Sequence, residues 1–177
     1  MLKTKHRVSL LAAGAFAVAA TSASATTMLQ LSFEELVADS ALVVVGEAVS
    51  SRVVESATDG LMTVTTFRVT DKVLGSADST VDVVTPGGIF RSGKFLLRES
   101  TATTPVFAIG SEHMLFLDSG PQQGLGIVGV SQGAAPVFEG KGGPSVALPG
   151  GEGAETLRQA TKRVRAAAKS RSREVTE

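Results

Sequence analysis

The sequence of 177 residues contains no cysteine, tryptophan, tyrosine or asparagine. Without cysteine the chain can form no disulfide framework, thiolate zinc site or cysteine nucleophile, and no N-terminal cysteine can carry a lipid. Without asparagine it cannot be N-glycosylated. Tryptophan and tyrosine usually line saccharide- and peptide-binding clefts, so their absence disfavours an aromatic binding cleft. The composition therefore excludes several kinds of site but names no activity.

The first 25 residues have the pattern of a secretory signal peptide. Basic residues precede an apolar run of 13 residues, Val8–Ala20, and Ala23 and Ala25 fit the A-x-A rule of signal peptidase. The run is too short to span a membrane, which takes about 20 residues. We expect cleavage before Thr26 and export by the general secretory route to the periplasm or beyond, because no twin arginine precedes the run. A membrane anchor or a buried helix is the alternative interpretation.

Removal of the leader changes the charge of the chain. Without Lys3, Lys5 and Arg7 the mature protein has 14 basic and 17 acidic residues. Residues 26–151 carry a net charge of −6 and residues 152–177 carry +3. Because phosphate binding needs clustered lysine and arginine, the acidic body argues against nucleic acid as a partner. No second apolar stretch approaches spanning length, so we expect no transmembrane segment in the mature chain.

A capping box predicts a short helix at the start of the mature chain. Ser32 and Glu35 are spaced so that each side chain can bond the backbone amide of the other, and the helix should run from Phe33 to about Ser40. Beyond it, apolar and β-branched runs separated by glycine and proline predict short strands. These are residues 41–54, 61–74, 80–85, 112–118, 125–130 and 136–139, with a looser segment at Ile89–Pro105.

These strands predict a mainly β fold. A small antiparallel Greek-key barrel of five to six strands, of the oligonucleotide/oligosaccharide-binding (OB) type, ranks above a sandwich, because the first two strands are long and Gly46 predicts a bulge. The predicted organisation is a signal peptide (1–25), a barrel domain (26–139), a glycine- and proline-rich linker or mobile loop (140–153) and a basic C-terminal helix with its tail (154–177).

The C-terminal helix, predicted at about Ala154 to Ser170, has two stripes. One stripe is apolar: Leu157, Ala160, Thr161, Val164 and Ala168. The other is basic: Arg158, Lys162, Arg165 and Lys169. The basic stripe is a candidate contact for anionic lipid or polymer. The alternative is a helix that docks on the barrel through its apolar stripe and leaves its charges in solvent.

Three patterns resemble catalytic or binding motifs. Gly124–Gly129 spells G-x-G-x-x-G, but no βαβ pattern surrounds it, so a glycine-containing strand is preferred to a dinucleotide site. His113, the only histidine of the mature chain, lies near Ser111 and Asp118, but a rim histidine is preferred to a Ser-His-Asp site. The dispersed acidic residues favour solvated faces over a carboxylate pair. We therefore predict no catalytic residue, no metal site and no cofactor.

Five segments, taken in order, resemble a widespread group of uncharacterised exported bacterial proteins. They are Phe33–Val49, Val69–Ser76, Val81–Ile89, Phe107–Leu117 and Val128–Gly133. The first two also resemble, more distantly, the opening of netrin-like modules, which include the tissue inhibitors of metalloproteinases. The resemblance implies a five-stranded barrel with flanking helices. In those inhibitors the mature chain begins with a cysteine that chelates the target's zinc, whereas here it would begin with Thr26, so no inhibitory residue carries over.

Together these features predict an exported, non-enzymatic binding or accessory module of the bacterial cell envelope or secreted fraction. Its partner would be an envelope or secreted protein. Two alternatives stay open: a regulator or inhibitor of a secreted peptidase, and a carboxylate-dependent hydrolase.

Overall fold

The computed structural model describes residues 29–56, 58–99, 103–120, 124–149 and 153–174. The predicted leader and its cleavage residues Ala23, Ala25 and Thr26 lie outside these residues. The described chain is mainly β, as predicted. In chain order its elements are α1 (Phe33–Ala38), β1 (Leu42–Ser56), β2 (Gly60–Leu74), β3 (Thr80–Pro86), β4 (Gly88–Ser92), β5 (Phe95–Glu99), β6 (Glu112–Ser119), β7 (Leu125–Ile127), β8 (Ala134–Gly140), β9 (Gly143–Ala147), β10 (Ala154–Thr156) and α2 (Leu157–Glu174).

Helix α1 begins at the predicted capping box. The Ser32 hydroxyl accepts a hydrogen bond from the Glu35 amide at 3.2 Å, and the Glu35 carboxylate accepts one from the Ser32 amide at 2.8 Å. The Ser32 amide and the Ser32 hydroxyl both donate to the Glu35 carboxylate, and these two bonds hold the pKa of Glu35 below its ordinary value. The helix ends at Ala38, slightly before the predicted end, and the Ser40 hydroxyl donates to the Leu36 carbonyl at 2.6 Å.

Five strands form a ring of pairings. β1 pairs with β2, β2 with β3, β3 with β7, β7 with β6, and β6 returns to β1. Only the short β3–β7 contact is parallel among these pairs. The register between β1 and β2 shifts at three places, one of them between Val45 and Gly46, which confirms the predicted irregularity at Gly46. β8, β9 and β10 extend the sheet from β6.

The ring is buried on both faces. Alternate residues of β1 and β6 enter two apolar clusters. Val43 and Phe116 belong to the cluster beneath the helices, whereas Val44 and Leu115 belong to the cluster that includes Phe67. Because both faces are buried, the sequences of β1 and β6 contain unbroken apolar runs and do not alternate between apolar and polar residues.

Helix α2 docks on the first of these clusters. Ala160 and Val164 are both 0% exposed and pack in the cluster that contains α1. The helix begins three residues later than predicted, because Ala154–Thr156 pairs with β9 as β10. Thr156 and Gln159 form the helix cap: the Gln159 side chain accepts from the Thr156 amide at 3.1 Å, and Thr156 Oγ1 accepts from the Gln159 amide at 3.4 Å.

Two other segments differ from the prediction. β7 ends at Ile127 rather than at residue 130, because the Gly133 amide donates to the Val128 carbonyl at 3.0 Å and closes a turn. The segment 140–153 was expected to be a linker or mobile loop but contains β9. Val146 of this strand is fully buried opposite Val137, so tertiary pairing outweighs the glycine-rich composition.

The segment Ile89–Pro105 was expected to be loose but contains a regular hairpin. β4 and β5 pair antiparallel as a separate two-stranded sheet, with Phe90 opposite Leu97 and Ser92 opposite Phe95. We call this hairpin, residues 88–99, the arm. Neither helix within the described ranges has the length and apolar character that crossing a membrane requires.

Candidate functional site: the arm and the groove beside it

The base of the arm lies directly on the ring. Gly88 has a φ of +155°, and a Cβ added there would come within 2.9 Å of the Val53 methyl groups and the Thr63 hydroxyl, so only glycine fits this approach. On the other strand, the Glu99 carboxylate accepts a hydrogen bond from the Leu61 amide at 2.9 Å. These contacts fix both strands of the arm at its base and leave its outer end free of the ring.

A groove of about 420 Å³ separates the arm from the ring. This volume falls in the range of roughly 300–1,000 Å³ that is common for ligand sites. Hydroxyl and methyl groups of the ring strands form its floor, the arm forms one wall, and the segment after the arm forms the other. The floor residues are Ser51, Val53, Thr63, Thr65 and Thr85, and the wall residues include Ile89, Arg98, Val106 and Phe107.

Three rings hold the second wall in place. Phe107 packs edge-on against Phe67, with ring centroids 4.9 Å apart, and against His113, with centroids 5.0 Å apart. Burial lowers the pKa of His113 below its ordinary value, although a backbone hydrogen bond at Ser111 and the charge of Glu112 oppose this shift. His113 is therefore a packing residue behind the groove wall.

The structure brings together two of the three residues considered for a Ser-His-Asp site. Ser111 Oγ lies 3.5 Å from His113 Nδ1, but its hydroxyl lies 2.6 Å from the Ala108 carbonyl and donates there. Asp118 is five positions further along β6, which corresponds to about 17 Å in an extended strand. The three side chains therefore do not form the predicted alternative, a catalytic triad.

Several carboxylates bond to groups on neighbouring strands. Asp82 accepts hydrogen bonds from Thr66 at 2.6 Å and from Arg52 at 3.2 Å, and the bond from Thr66 is the main cause that holds its pKa below the ordinary value. Glu112 accepts a hydrogen bond from Thr70 at 2.9 Å. Within the described ranges, no group of three or more histidine and acidic side chains could hold a metal ion.

The glycine motif at residues 124–129 forms β7 and the start of a turn. β7 pairs with β6 and β3, and no helix follows it before β8. A dinucleotide site needs a helix N-terminus directly after the glycines. The interpretation as a glycine-containing strand is therefore confirmed.

The four basic residues predicted as a surface contact lie on the exposed side of α2. They are Arg158, Lys162, Arg165 and Lys169. Arg165 contributes to docking of the helix, because its guanidinium donates to the Lys72 carbonyl at 3.2 Å and lies 3.6 Å from the Asp71 carboxylate. The other three form no ion pair with any residue that the structure describes.

The arm is the feature that sequence analysis missed. Its signal was the dipeptide Gly93-Lys94 between the apolar pair Ile89-Phe90 and the run Phe95–Leu97, a two-residue loop that is typical of a tight hairpin. Gly93 adopts a φ of +58° in this loop. The sequence Pro86-Gly87-Gly88 was interpreted as the end of strand structure, but β3 ends there and β4 begins directly at Gly88.

Comparison with known protein families and with curated proteins finds no match to this chain.

Proposed function

We propose that this chain is an exported, non-enzymatic binding module that holds an apolar segment of an envelope or secreted protein in the groove beside the arm. The observation that carries the proposal is the groove itself, which combines apolar residues on both walls (Ile89 on one, Val106 and Phe107 on the other) with hydroxyl groups on its floor. Such a mixture suits a ligand that is mainly apolar and is oriented by a few hydrogen bonds.

The ring of five strand pairings supports the finer proposal of a small OB-like barrel, the architecture that the resemblance to netrin-like modules implies. OB folds bind their ligands on an outer face of the barrel and between its loops. The groove lies in such a place, between the ring strands and two segments that lie outside the ring. Beneath the groove, β2 pairs with β1 on one side and with β3 on the other, which holds the floor residues in place.

The groove can be tested with an apolar fluorescent dye, anilinonaphthalene sulfonate, as the probe. Ser51→Arg places a long charged side chain on the groove floor. Ser50→Arg is the matched control, because Ser50 is the adjacent exposed residue of the same strand and does not line the groove. We expect Ser51→Arg to weaken saturable dye binding at least tenfold and Ser50→Arg to leave it unchanged. Equal binding by both variants would place the dye elsewhere and contradict the proposal.

The non-enzymatic part of the proposal has its own test. The mature protein would be assayed against panels of esters, glycosides and peptides, and we expect no turnover above a heat-denatured control. Turnover that is lost on substitution of a carboxylate would instead support a hydrolase. Regulation of a secreted peptidase is one form that groove binding could take, and titration of Ser51→Arg and Ser50→Arg against secreted metallopeptidases tests it.

A further inference from the structure

The outer end of the arm exposes large apolar side chains. Phe95 is 77% exposed, Leu96 60% and Leu97 48%. Large apolar residues scattered singly over a surface are ordinary, but three in succession on a projecting ribbon are not. A two-stranded hairpin is also only marginally stable alone in water, so an apolar environment around its outer end would stabilise the arm.

Both faces of the arm carry apolar residues, and one face also carries charge. Cross-strand pairing places Phe95 on the face with Phe90 and Leu97, whereas Leu96 lies on the opposite face, directly across from Arg91. A flat protein surface would cover one face of this ribbon and leave the apolar residues of the other in water. A lipid surface can receive apolar residues from both faces while a long arginine side chain extends to the headgroups, so this distribution favours lipid over a protein partner.

The charges around the arm point to the same environment. Arg91, Lys94 and Arg98 flank the apolar residues, and none of them forms an ion pair with the residues that the structure describes. Residues 26–151 contain seven basic and 13 acidic residues in all. Because Arg91, Lys94 and Arg98 are three of the seven, the rest of this range is strongly acidic. An anionic surface would therefore attract the arm and repel the remainder of the body, which orients the arm towards the surface.

The dimensions limit how far the arm can enter. Three residues of a strand extend about 10 Å, which matches the depth of about 5–10 Å that interfacial elements reach. The outer edges of β4 and β5 have no strand partner within the described residues, and unpaired backbone groups are not tolerated in the hydrocarbon core. The arm is thus suited to the headgroup and upper acyl region and not to a span.

We propose that the arm is a lipid anchor that inserts Phe95, Leu96 and Leu97 into the interfacial region of an anionic membrane, with Arg91, Lys94 and Arg98 at the headgroups. This anchor uses the outer end of the arm: Arg98 also lines the groove, but Phe95, Leu96 and Leu97 do not. The proposal also assigns the contact with anionic lipid to the arm, whereas the sequence predicted it for the basic stripe of α2.

The absence of tryptophan makes a direct test available. Phe95→Trp introduces a single tryptophan into the chain, and Phe138→Trp is the matched control at a phenylalanine that is 44% exposed on β8. The probes are vesicles of phosphatidylcholine alone and vesicles in which one third is phosphatidylglycerol. We expect the emission of Phe95→Trp to shift to the blue and to be quenched by brominated acyl chains in anionic vesicles only, with no change for Phe138→Trp.

Cosedimentation of the otherwise unaltered mature protein with the same vesicles supplies a second measurement. The double variant Phe95→Ser, Leu96→Ser should lose at least tenfold in binding, and Lys94→Glu should lose more than Lys162→Glu. An unshifted Phe95→Trp spectrum with anionic vesicles would overturn the proposal. A blue shift that appears without vesicles and grows with protein concentration would overturn it, because the arm would then be buried against a second copy of the chain. A greater loss of vesicle binding for Lys162→Glu than for Lys94→Glu would also overturn it and assign the lipid contact to α2. Ser51→Arg should still bind the vesicles, which separates this result from the groove test.

Discussion

Helix α2 and the arm each carry several basic residues without an ion pair in the described structure, yet they differ in what lies beside the charges. In α2 the apolar residues Ala160 and Val164 are fully buried against the core, so the exposed side of the helix has charge without a large apolar group. In the arm, Phe95 and Leu96 are exposed beside the charges. Both α2 and the arm are candidate surfaces by their charge. Of the two, the arm combines basic residues with exposed apolar side chains that can enter a lipid phase.

The largest effect should come from the buried side of α2. Val164→Asp places an unpaired charge in the core, and we expect it to lower the free energy of unfolding by about 3 kcal/mol or more. Ala166→Asp, at an exposed position of the same helix, should change it by no more than about 0.5 kcal/mol. Urea denaturation measures both. Equal effects would mean that α2 is not docked as described.

The next effect concerns the contact between α1 and α2. The Arg163 guanidinium lies 4.2 Å from the centroid of the Phe33 ring and pairs with Glu155. Because the pair is partly exposed, we expect Arg163→Ala to cost about 1 kcal/mol. Lys162→Ala, at the adjacent exposed position, is the control and should cost less than half as much in the same urea titration.

The packing of His113 behind the groove wall should make stability depend on pH. Burial depresses the pKa of His113 below its ordinary value of 6.5, so below this pH the unfolded chain takes up a proton that the folded chain resists. Stability is therefore unaffected by this residue above pH 6.5 and falls as the pH drops from 6.5 towards the folded pKa. His113→Gln should flatten the dependence of unfolding free energy on pH in this window. An unchanged slope would show that other groups cause it.

The smallest effect on stability should come from the end of the arm. Phe95→Ser removes a large side chain that has little packing to lose, so the free energy of unfolding should change by no more than about 0.5 kcal/mol. This measurement complements the vesicle experiment, because we expect Phe95 to contribute strongly to lipid binding and very little to the free energy of unfolding. A loss of about 2 kcal/mol would show that Phe95 packs inward.

The parts of the fold that sequence predicted correctly depend on neighbouring residues. The Ser32–Glu35 capping box fixes the start of α1 within one turn, and the irregularity at Gly46 follows from a glycine inside a β-branched run. The mainly β class follows from the spacing of the strands. Each of these signals needs only a few consecutive residues.

The parts that were missed depend on distant contacts. Val146 becomes a core residue of β9 only because β8 is present to pair with it, and no glycine-rich segment shows this by itself. The arm was missed because its apolar residues do not alternate between buried and exposed positions. Sequence singled out His113, which packs behind the groove wall, but the groove itself arises from the approach of Gly88 to β1 and β2.

The contact between the two helices has a consequence for how the molecule is made. Arg171 of α2 donates a hydrogen bond to the Ala38 carbonyl, across 133 positions of sequence, and Arg163 covers Phe33. A ribosome must therefore finish α2 before the packing around α1 is complete, so the first helix of a nascent chain is only partly covered until the end of synthesis. Such late closure slows spontaneous folding.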